Sequence, residues 1–224
     1  YRRATMGSHK GMNGRVAVVG GWTFHGSAVI ASLGALGIGS DLVKVYVKGK
    51  NYQVIASYNA GIIVRDVDAI NDETELMNND SILLGSGLGR SQNLGEVLER
   101  MRGFSGTVVL DAEGLDFLDS VRSIAPRSNV ILTLKGTIDT VTDGTRTRYT
   151  EGGNSRMTMG GTGDLLAGLT AGLAARSPDP FRAACMASFL NKSARDFCHR
   201  QKSYWYDVND MIMAIPEIMR LYVG

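Results

Sequence analysis

Residues 160–164 read Gly-Gly-Thr-Gly-Asp and pass directly into an apolar run, Leu-Leu-Ala-Gly-Leu-Thr-Ala-Gly-Leu-Ala-Ala-Arg, at residues 165–176. Gly160, Gly161 and Gly163 admit backbone conformations closed to other residues and let the main chain come close to a ligand. The apolar run reads as a helix, whose first turn carries unpaired N–H groups at the positive end of its dipole. Loop and helix start together form a seat for an anion, most naturally a phosphate. Asp164 is the odd member, because a carboxylate repels a bound phosphate. A base that takes a proton from a hydroxyl attacking phosphorus belongs at that place. The plainer role for Asp164 or Thr162 is a helix cap, which needs one polar residue and no run of glycines.

The rest of the chain reads as a frame for this helix. Residues 15–20 (Arg-Val-Ala-Val-Val-Gly) form a short β-branched strand closed by Gly20-Gly21, residues 27–36 a small-residue helix, and residues 41–47 a second strand. This β–α–β order at short spacing predicts a parallel sheet with helices on both faces. Residues 62–64, 81–84 and 107–110 read as further strands, with a short acidic helix at 72–77 and another helix at 94–102. Gly85-Ser86-Gly87-Leu88-Gly89 and Asp111-Ala112-Glu113 follow two of these strands. Ligands of open α/β sheets sit beyond the carboxyl ends of the strands, so these loops and Gly20-Gly21 are expected to converge on one cleft. Residues 130–133 and 134–135 look like parts of two strands run together. Residues 138–142 and 145–150 flank Asp143-Gly144, a strong hairpin signal that predicts an antiparallel edge. Pro178 and Pro180 mark a break, residues 181–199 a long amphipathic helix, and residues 207–221 a last helix bent or interrupted by Pro216. The small-residue helix at 27–36 is suited to close packing.

Composition narrows the class. At 224 residues, 44% hydrophobic and 21% charged, the chain has the makeup of one ordinary α/β domain spanning 1–224. A net charge of +2 gives no electrostatic footprint for nucleic acid or an acidic membrane. Arg146, Arg148, Arg195 and Arg200 are scattered and read as solvated surface, and no apolar run approaches the ~20 residues of a membrane span. No signal-peptide pattern opens the chain. Cys185 and Cys198 fit neither a metal spacing nor a disulfide framework, so they read as buried thiols in a reducing cytoplasm. His9 and His25 read as loop histidines, and His199 as a dipole partner near a helix end. A chain that opens at Tyr1 rather than at Met is expected to lack its true N-terminus.

One order of motifs stands out: Gly-Gly early, Gly-Ser-Gly-Leu-Gly midway, Asp-Ala-Glu at a strand end, Leu-Lys-Gly at residues 134–136, then Asn154-x-x-Met157-x-x-Gly-Gly-Thr-Gly-Asp. This order, with Ser8-His9-Lys10-Gly11 before the first strand, resembles the NAD(P)H-hydrate dehydratases of the ribokinase-like superfamily over nearly the whole chain. The resemblance implies a mostly parallel central sheet with helices on both faces and an antiparallel edge hairpin. It implies repair of hydrated NADH or NADPH: the C6 hydroxyl is phosphorylated by ADP (or ATP) with Mg²⁺, and phosphate is then eliminated. It also implies a homo-oligomer, commonly a tetramer. By the same resemblance Asp164 is the base, with N–H groups of Gly161, Thr162 and Gly163 on the transferred phosphoryl group. Ser27, Gly87, Asp111 and Asp164 fall on the substrate side. Lys135, Gly136, Thr137, Ile138, Asp139, Asn154, Met157, Gly160, Gly161, Thr162 and Gly163 fall on the nucleotide side. The residues assign no metal ligand. The alternatives that share the glycine loop are an ATP-dependent kinase of a vitamin precursor and a non-catalytic nucleotide-binding module.

Two departures from the family pattern are visible. The substrate-side loop Tyr-x-Gly-Ala-Pro reads Phe24-His25-Gly26-Ser27-Ala28 here. A Thr-Pro-His-x-x-Glu motif and a following helix are expected after Thr133, yet Thr133 runs directly into Leu134-Lys135-Gly136. Two parallel strands need a crossover of a dozen or more residues, and none fits there. Residues are therefore expected to be missing between 133 and 134, the rival being a true deletion that weakens the enzyme.

Overall fold

In the computed structural model, residues 4–69, 74–90, 94–152 and 154–223 are described, with the backbone alone for Ala69, Ser155 and Met157. The layering follows from the alternation of side chains along β1 (Arg15–Val19), which is buried on both faces. Val16 and Val18 enter one core and Ala17 and Val19 the other, because successive strand residues point to opposite sides. Flanking β1 are β2 (Leu42–Val47) and β4 (Ser81–Leu84), both parallel to it. Beyond them lie β3 (Ile62–Asp66) on one side and β5 (Thr107–Leu110) and β6 (Asn129–Leu134) on the other, all parallel. The hairpin β7 (Asp139–Thr142) and β8 (Thr147–Thr150) closes the sheet antiparallel, giving the order β3-β2-β1-β4-β5-β6-β7-β8.

Helices cover both faces, as buried parallel strands require. The helices α1 (His25–Gly37) and α2 (Asn51–Tyr58) follow β1 and β2. On the opposite side, α3 (Gly95–Arg100) and α4 (Leu118–Ile124) contribute Val97, Leu98 and Val121 to the core with Ala17 and Val19. The glycine-led helix α5 (Thr162–Ala174) packs on α1 and also carries α6 (Pro180–Lys202) and α7 (Val208–Val223) on its outer side. Small residues permit the α1–α5 contact. A Cβ built on Gly168 would lie 1.9 Å from the Ala31 carbonyl oxygen, and one on Gly172 would lie 3.0 Å from Ala35 Cα. The small-residue face of α1 is therefore taken up inside the chain by α5.

Several expectations meet this structure differently. The predicted acidic helix at 72–77 lies partly outside the described residues, and residues 74–78 form a turn closed by Asn78 N–H to the Thr74 carbonyl, 2.9 Å. Pro216 sits within α7, which continues through it. The two strand fragments at 130–135 are one strand: Leu132 of β6 pairs with Leu110 of parallel β5 and with Thr142 of antiparallel β7. Thr133 and Leu134 are consecutive residues of that strand. The crossover that two parallel strands would need is not required, because an antiparallel neighbour is reached by a short turn.

The closeness of α1 and α5 is testable. Gly168→Val places a branched side chain against backbone and is expected to destabilise the fold by about 1–3 kcal/mol. In a chain of this length each kcal/mol lowers Tm by about 2–4 °C. Thermal denaturation with an unchanged Tm would show that the two backbones do not meet there.

Candidate active site

The chain runs outward from β1 to β2 and β3, then returns to build β4, β5 and β6 on the other side. Such a reversal of strand order opens a crevice at the carboxyl ends of the two central strands. The loops after β1 and β4 meet there: Gly21 N–H donates to the Ser86 carbonyl (2.9 Å), and Thr23 and Phe24 N–H both donate to the Gly87 carbonyl (3.0 and 3.1 Å). Gly20 is required by the closeness of these loops, since a Cβ on it would sit 2.1 Å from the Ser86 carbonyl oxygen. Gly87, at φ +72°, lies against the Phe24 carbonyl and Ser27 Cβ. Ser86 also donates to the Asp111 carboxylate at 3.3 Å, which ties the end of β5 into the same place.

The glycine loop enters this crevice from above. Gly161 takes a left-handed conformation (φ +85°) as the residue before α5, and no side chain caps the helix. The expectation of a plain cap is thus not met: Thr162 instead donates its hydroxyl to the Met159 carbonyl, 3.3 Å. The first α-helical bond runs from Leu165 N–H to the Gly161 carbonyl, 2.9 Å, so the N–H groups of Thr162 and Gly163 precede the helical ladder. Lys135, just past the end of β6, lays its ammonium on this loop, against the place where a Cβ on Gly163 would stand, so a larger residue there would push the lysine aside.

Three charges set the electrostatics. Asp111 is 4% exposed and lies 3.6 Å from the Lys135 ammonium. Burial raises its pKa, with Lys135 and the Ser86 hydroxyl opposing. Asp164, in the first turn of α5, is partly exposed and takes a hydrogen bond from Ser27. Its pKa is pushed up to about 6, first by burial and then by the charge of Asp111, against the pull of Lys135. A carboxylate of that strength is ionised at neutral pH and still basic enough to accept a proton.

Lys135, Gly136, Thr137, Asp139 and Thr162 line a cleft of about 300 Å³ beside the glycine loop, with Thr158, Asn191 and Arg195 completing it. The substrate-side residues Ser27, Gly87, Asp111 and Asp164 and the nucleotide-side residues Lys135, Gly136, Thr137, Gly161, Thr162 and Gly163 are therefore brought to one region. Others are not. Ile138 is half exposed and does not line the cleft, and Gly160 is exposed with nothing within 4 Å of where its Cβ would stand. Asn154 spends its amide inside the protein, accepting from Arg156 N–H (3.0 Å) and the Tyr206 hydroxyl (3.0 Å) and donating to the Arg195 carbonyl (3.3 Å). It shapes the loop before the glycines. The Met157 side chain lies outside the described residues. Asp139 is buried and holds Gly136 N–H (3.2 Å), the Ser188 hydroxyl (2.9 Å) and Lys192 (3.6 Å), so it positions the Lys135 turn.

The residues missed from sequence are on α6. Asn191 and Arg195 stand on the stripe that buries Ala184, Ala187, Ser188 and Cys198, and their i, i+4 spacing on an otherwise small and apolar face was the available signal. Arg195 is a correction: it is 3% exposed, not solvated surface. Arg146 is exposed but paired, with Asp143 at 2.8 Å and Asp179 at 2.9 Å. Both cysteines are free thiols, Cys198 buried and Cys185 half-buried. No helix among the described residues is long and apolar enough to cross a membrane.

The sequence pattern of the NAD(P)H-hydrate dehydratase family matches residues 16–133 and 120–217, two stretches that overlap over residues 120–133. The bifunctional NAD(P)H-hydrate repair enzyme Nnr of Archaeoglobus fulgidus is 34% identical over 245 aligned positions, covering 94% of this chain and 52% of that protein. The chain thus spans about half the length of the curated relatives it matches. An alignment of 245 positions also exceeds the 224 residues present, so that relative carries residues with no counterpart here. Among solved structures, protein SMU.573 of Streptococcus mutans superposes with TM-score 0.83 at 20% identity, covering 98% of this chain and 95% of that one. The ADP/ATP-dependent NAD(P)H-hydrate dehydratase of Bacillus subtilis, co-crystallised with ATP/Mg²⁺, gives 0.78 at 17% identity, covering 98% and 93%. A shared architecture at such identities speaks for the ribokinase-like fold. With a family pattern that runs through β1, the glycine loop and α6, this chain belongs to the NAD(P)H-hydrate dehydratase family.

Proposed function

We propose that this chain repairs hydrated NADH or NADPH at the expense of a nucleotide, with ADP as phosphoryl donor. The observation that carries the reading is the position of Asp164: a partly exposed carboxylate of raised pKa at the head of α5, one residue beyond the N–H groups of the glycine loop. Pure nucleotide binding gains nothing from a carboxylate there, since it repels phosphate. A proton acceptor for an attacking hydroxyl does gain.

In this reading Asp164 takes the proton of the C6 hydroxyl, whose oxygen attacks the β-phosphorus of ADP while the bond to AMP breaks. The N–H groups of Gly161, Thr162 and Gly163 and the Lys135 ammonium meet the negative charge on the transferred group. Ser27 holds the Asp164 carboxylate in place. The C6–O bond then breaks with the ring nitrogen's lone pair, phosphate leaves, and loss of a proton from C5 restores the nicotinamide. Hydrated cofactor and ADP become NAD(P)H, AMP and phosphate. Mg²⁺ supplies charge neutralisation to the phosphates when bound. Among the described residues no three His, Cys, Asp or Glu side chains gather to hold a metal. Asp111 and Asp164 are the carboxylates near the loop, which suits a cation held mainly by phosphate oxygens and water.

Association of copies, in the tetramer the resemblance implies, would use a surface other than the α1 face that α5 covers. The reading also places the chain in the cytoplasm, where nicotinamide cofactors are used.

Incubation with hydrated NADPH and ADP is expected to restore nicotinamide absorbance and release AMP. Accumulation of a stable phosphate ester from an alcohol and ATP, with no restored absorbance, would favour the vitamin-precursor kinase instead. Asp164→Asn is expected to lower kcat by about 10²–10⁴-fold, with ADP affinity within a few-fold of wild type; equal turnover would remove Asp164 from the chemistry. The wild-type rate is expected to fall as pH drops through about 6, where Asp164 takes up its proton. Stability has the opposite sign. The folded chain binds this proton more tightly than the unfolded one, whose carboxyl titrates near 3.8, so ionised Asp164 weighs against folding above about 6. Asp164→Asn is therefore expected to melt above wild type at pH 8, the gap closing toward pH 4. A gap that widens in acid would contradict the assigned environment.

A further inference from the structure

Arg195 is a buried cation with no ion-pair partner among the described residues. It is 3% exposed, and its Nε is buried without a hydrogen-bond partner. Among the described residues no carboxylate forms an ion pair with it. The nearest candidate, Asp139, is already engaged by Gly136 N–H, the Ser188 hydroxyl and Lys192. Burial correspondingly pulls the Arg195 pKa down, with Asp139, Tyr206 and Asp196 opposing from a distance. Guanidinium groups are rarely held out of water in this way, because breaking the hydration shell is costly unless a paired anion replaces it.

The place of this cation is informative. Arg195 lines the same 300 Å³ cleft as Lys135, Thr137 and Thr162. Asn191 lies one turn earlier on α6, about 6 Å along the axis. It donates to the Thr162 carbonyl at 3.2 Å, while its own Oδ1 is buried and unpartnered. The cleft therefore has Lys135 beside the glycine loop and, on its α6 wall, a forked donor one helical turn from the Asn191 that touches Thr162. A guanidinium fork matches phosphate oxygens two at a time.

We propose that Arg195 selects the nucleotide co-substrate of this chain by engaging a phosphate that is not transferred, on the side of the cleft away from Asp164. The assignment rests on the reading of the cleft as the nucleotide side. Lys192 serves differently: its ammonium is spent on the Thr137 and Gly152 carbonyls, both 3.2 Å, and on Asp139, so it stitches the cleft wall together. Of these two α6 cations, Arg195 is the one left for a ligand.

Titration calorimetry with ADP, AMP, adenosine and NADPH on wild type, Arg195→Met, Arg195→Lys and Asp164→Asn tests this. ADP and AMP share the phosphate that is not transferred, so affinity for both is expected to fall at least tenfold in Arg195→Met and to be partly recovered in Arg195→Lys. Adenosine and NADPH binding should change less than threefold, and Asp164→Asn should bind ADP as wild type does. Arg195→Met should melt at or above wild type, since removing an unpaired buried charge relieves the fold; a purely structural arginine would lower Tm and leave the ADP-to-adenosine preference intact. Unchanged ADP affinity in a folded Arg195→Met overturns the proposal. So does an equal loss for ADP and adenosine, which would mark a base or ribose contact, or a loss confined to NADPH, which would place the phosphates of the dinucleotide there. Because these are binding measurements, the two readings separate. Loss of ADP and AMP binding in Arg195→Met with no repair of hydrated cofactor by wild type would sink the proposed reaction alone. Repair by Arg195→Met at an unchanged KM for ADP would sink the role of Arg195 alone.

Discussion

The architecture depends on where α5 begins. Residues from Leu165 to Ala174 are buried along the whole helix, between α1 on one side and α6 and α7 on the other. Close approach to α1 is possible because Gly168 and Gly172 present no side chain to Ala31 and Ala35. A helix clamped in this way cannot slide or rotate, so its first turn is held over the point where β1, β4 and β5 end. The anion seat is then a product of packing far from it: helix N-termini bind anions weakly when free to move, and strongly when the surrounding protein holds their N–H groups in place.

Onto that fixed terminus the chain brings two carboxylates and one ammonium. Burial raises the proton affinity of Asp111 and Asp164, the charge of Asp111 raises that of Asp164 further, and Lys135 stands against both. The arrangement weighs against stability, since a well-packed apolar cluster of the same volume would fold more firmly. Its persistence at the carboxyl ends of the strands, together with the uncompensated Arg195 across the cleft, is the kind of local cost that functional sites carry.

At the end of β6 one strand serves two kinds of neighbour. In β6, Leu132 still pairs with β5 as a parallel strand should, while the same residue already pairs antiparallel with β7. One strand therefore faces a parallel neighbour and an antiparallel one, and Lys135 remains at its end, where the glycine loop can receive it.

Much of this was legible in the sequence. The strand–helix alternation, the Asp143-Gly144 hairpin and the glycine run before α5 are local signals, written in residue types whose backbone preferences do not depend on distant partners. The carboxyl-end rule placed Gly20-Gly21, Gly85 to Gly89 and Asp111 in one crevice before any contact was seen. Other features were not local. The single strand β6 follows from which neighbours its two edges meet. The engagement of Asn154 with Arg195 and Tyr206 follows from a helix forty residues later folding back on the loop. Arg195 looked like surface because an arginine in a helix usually is; its burial is decided by α5, α7 and the hairpin closing around α6. Residue types thus determined the sheet, the anion seat and its acid. Only the tertiary packing decided which charges the protein neutralises itself and which it leaves for a ligand, because that balance is set by distances between elements that sequence order does not contain.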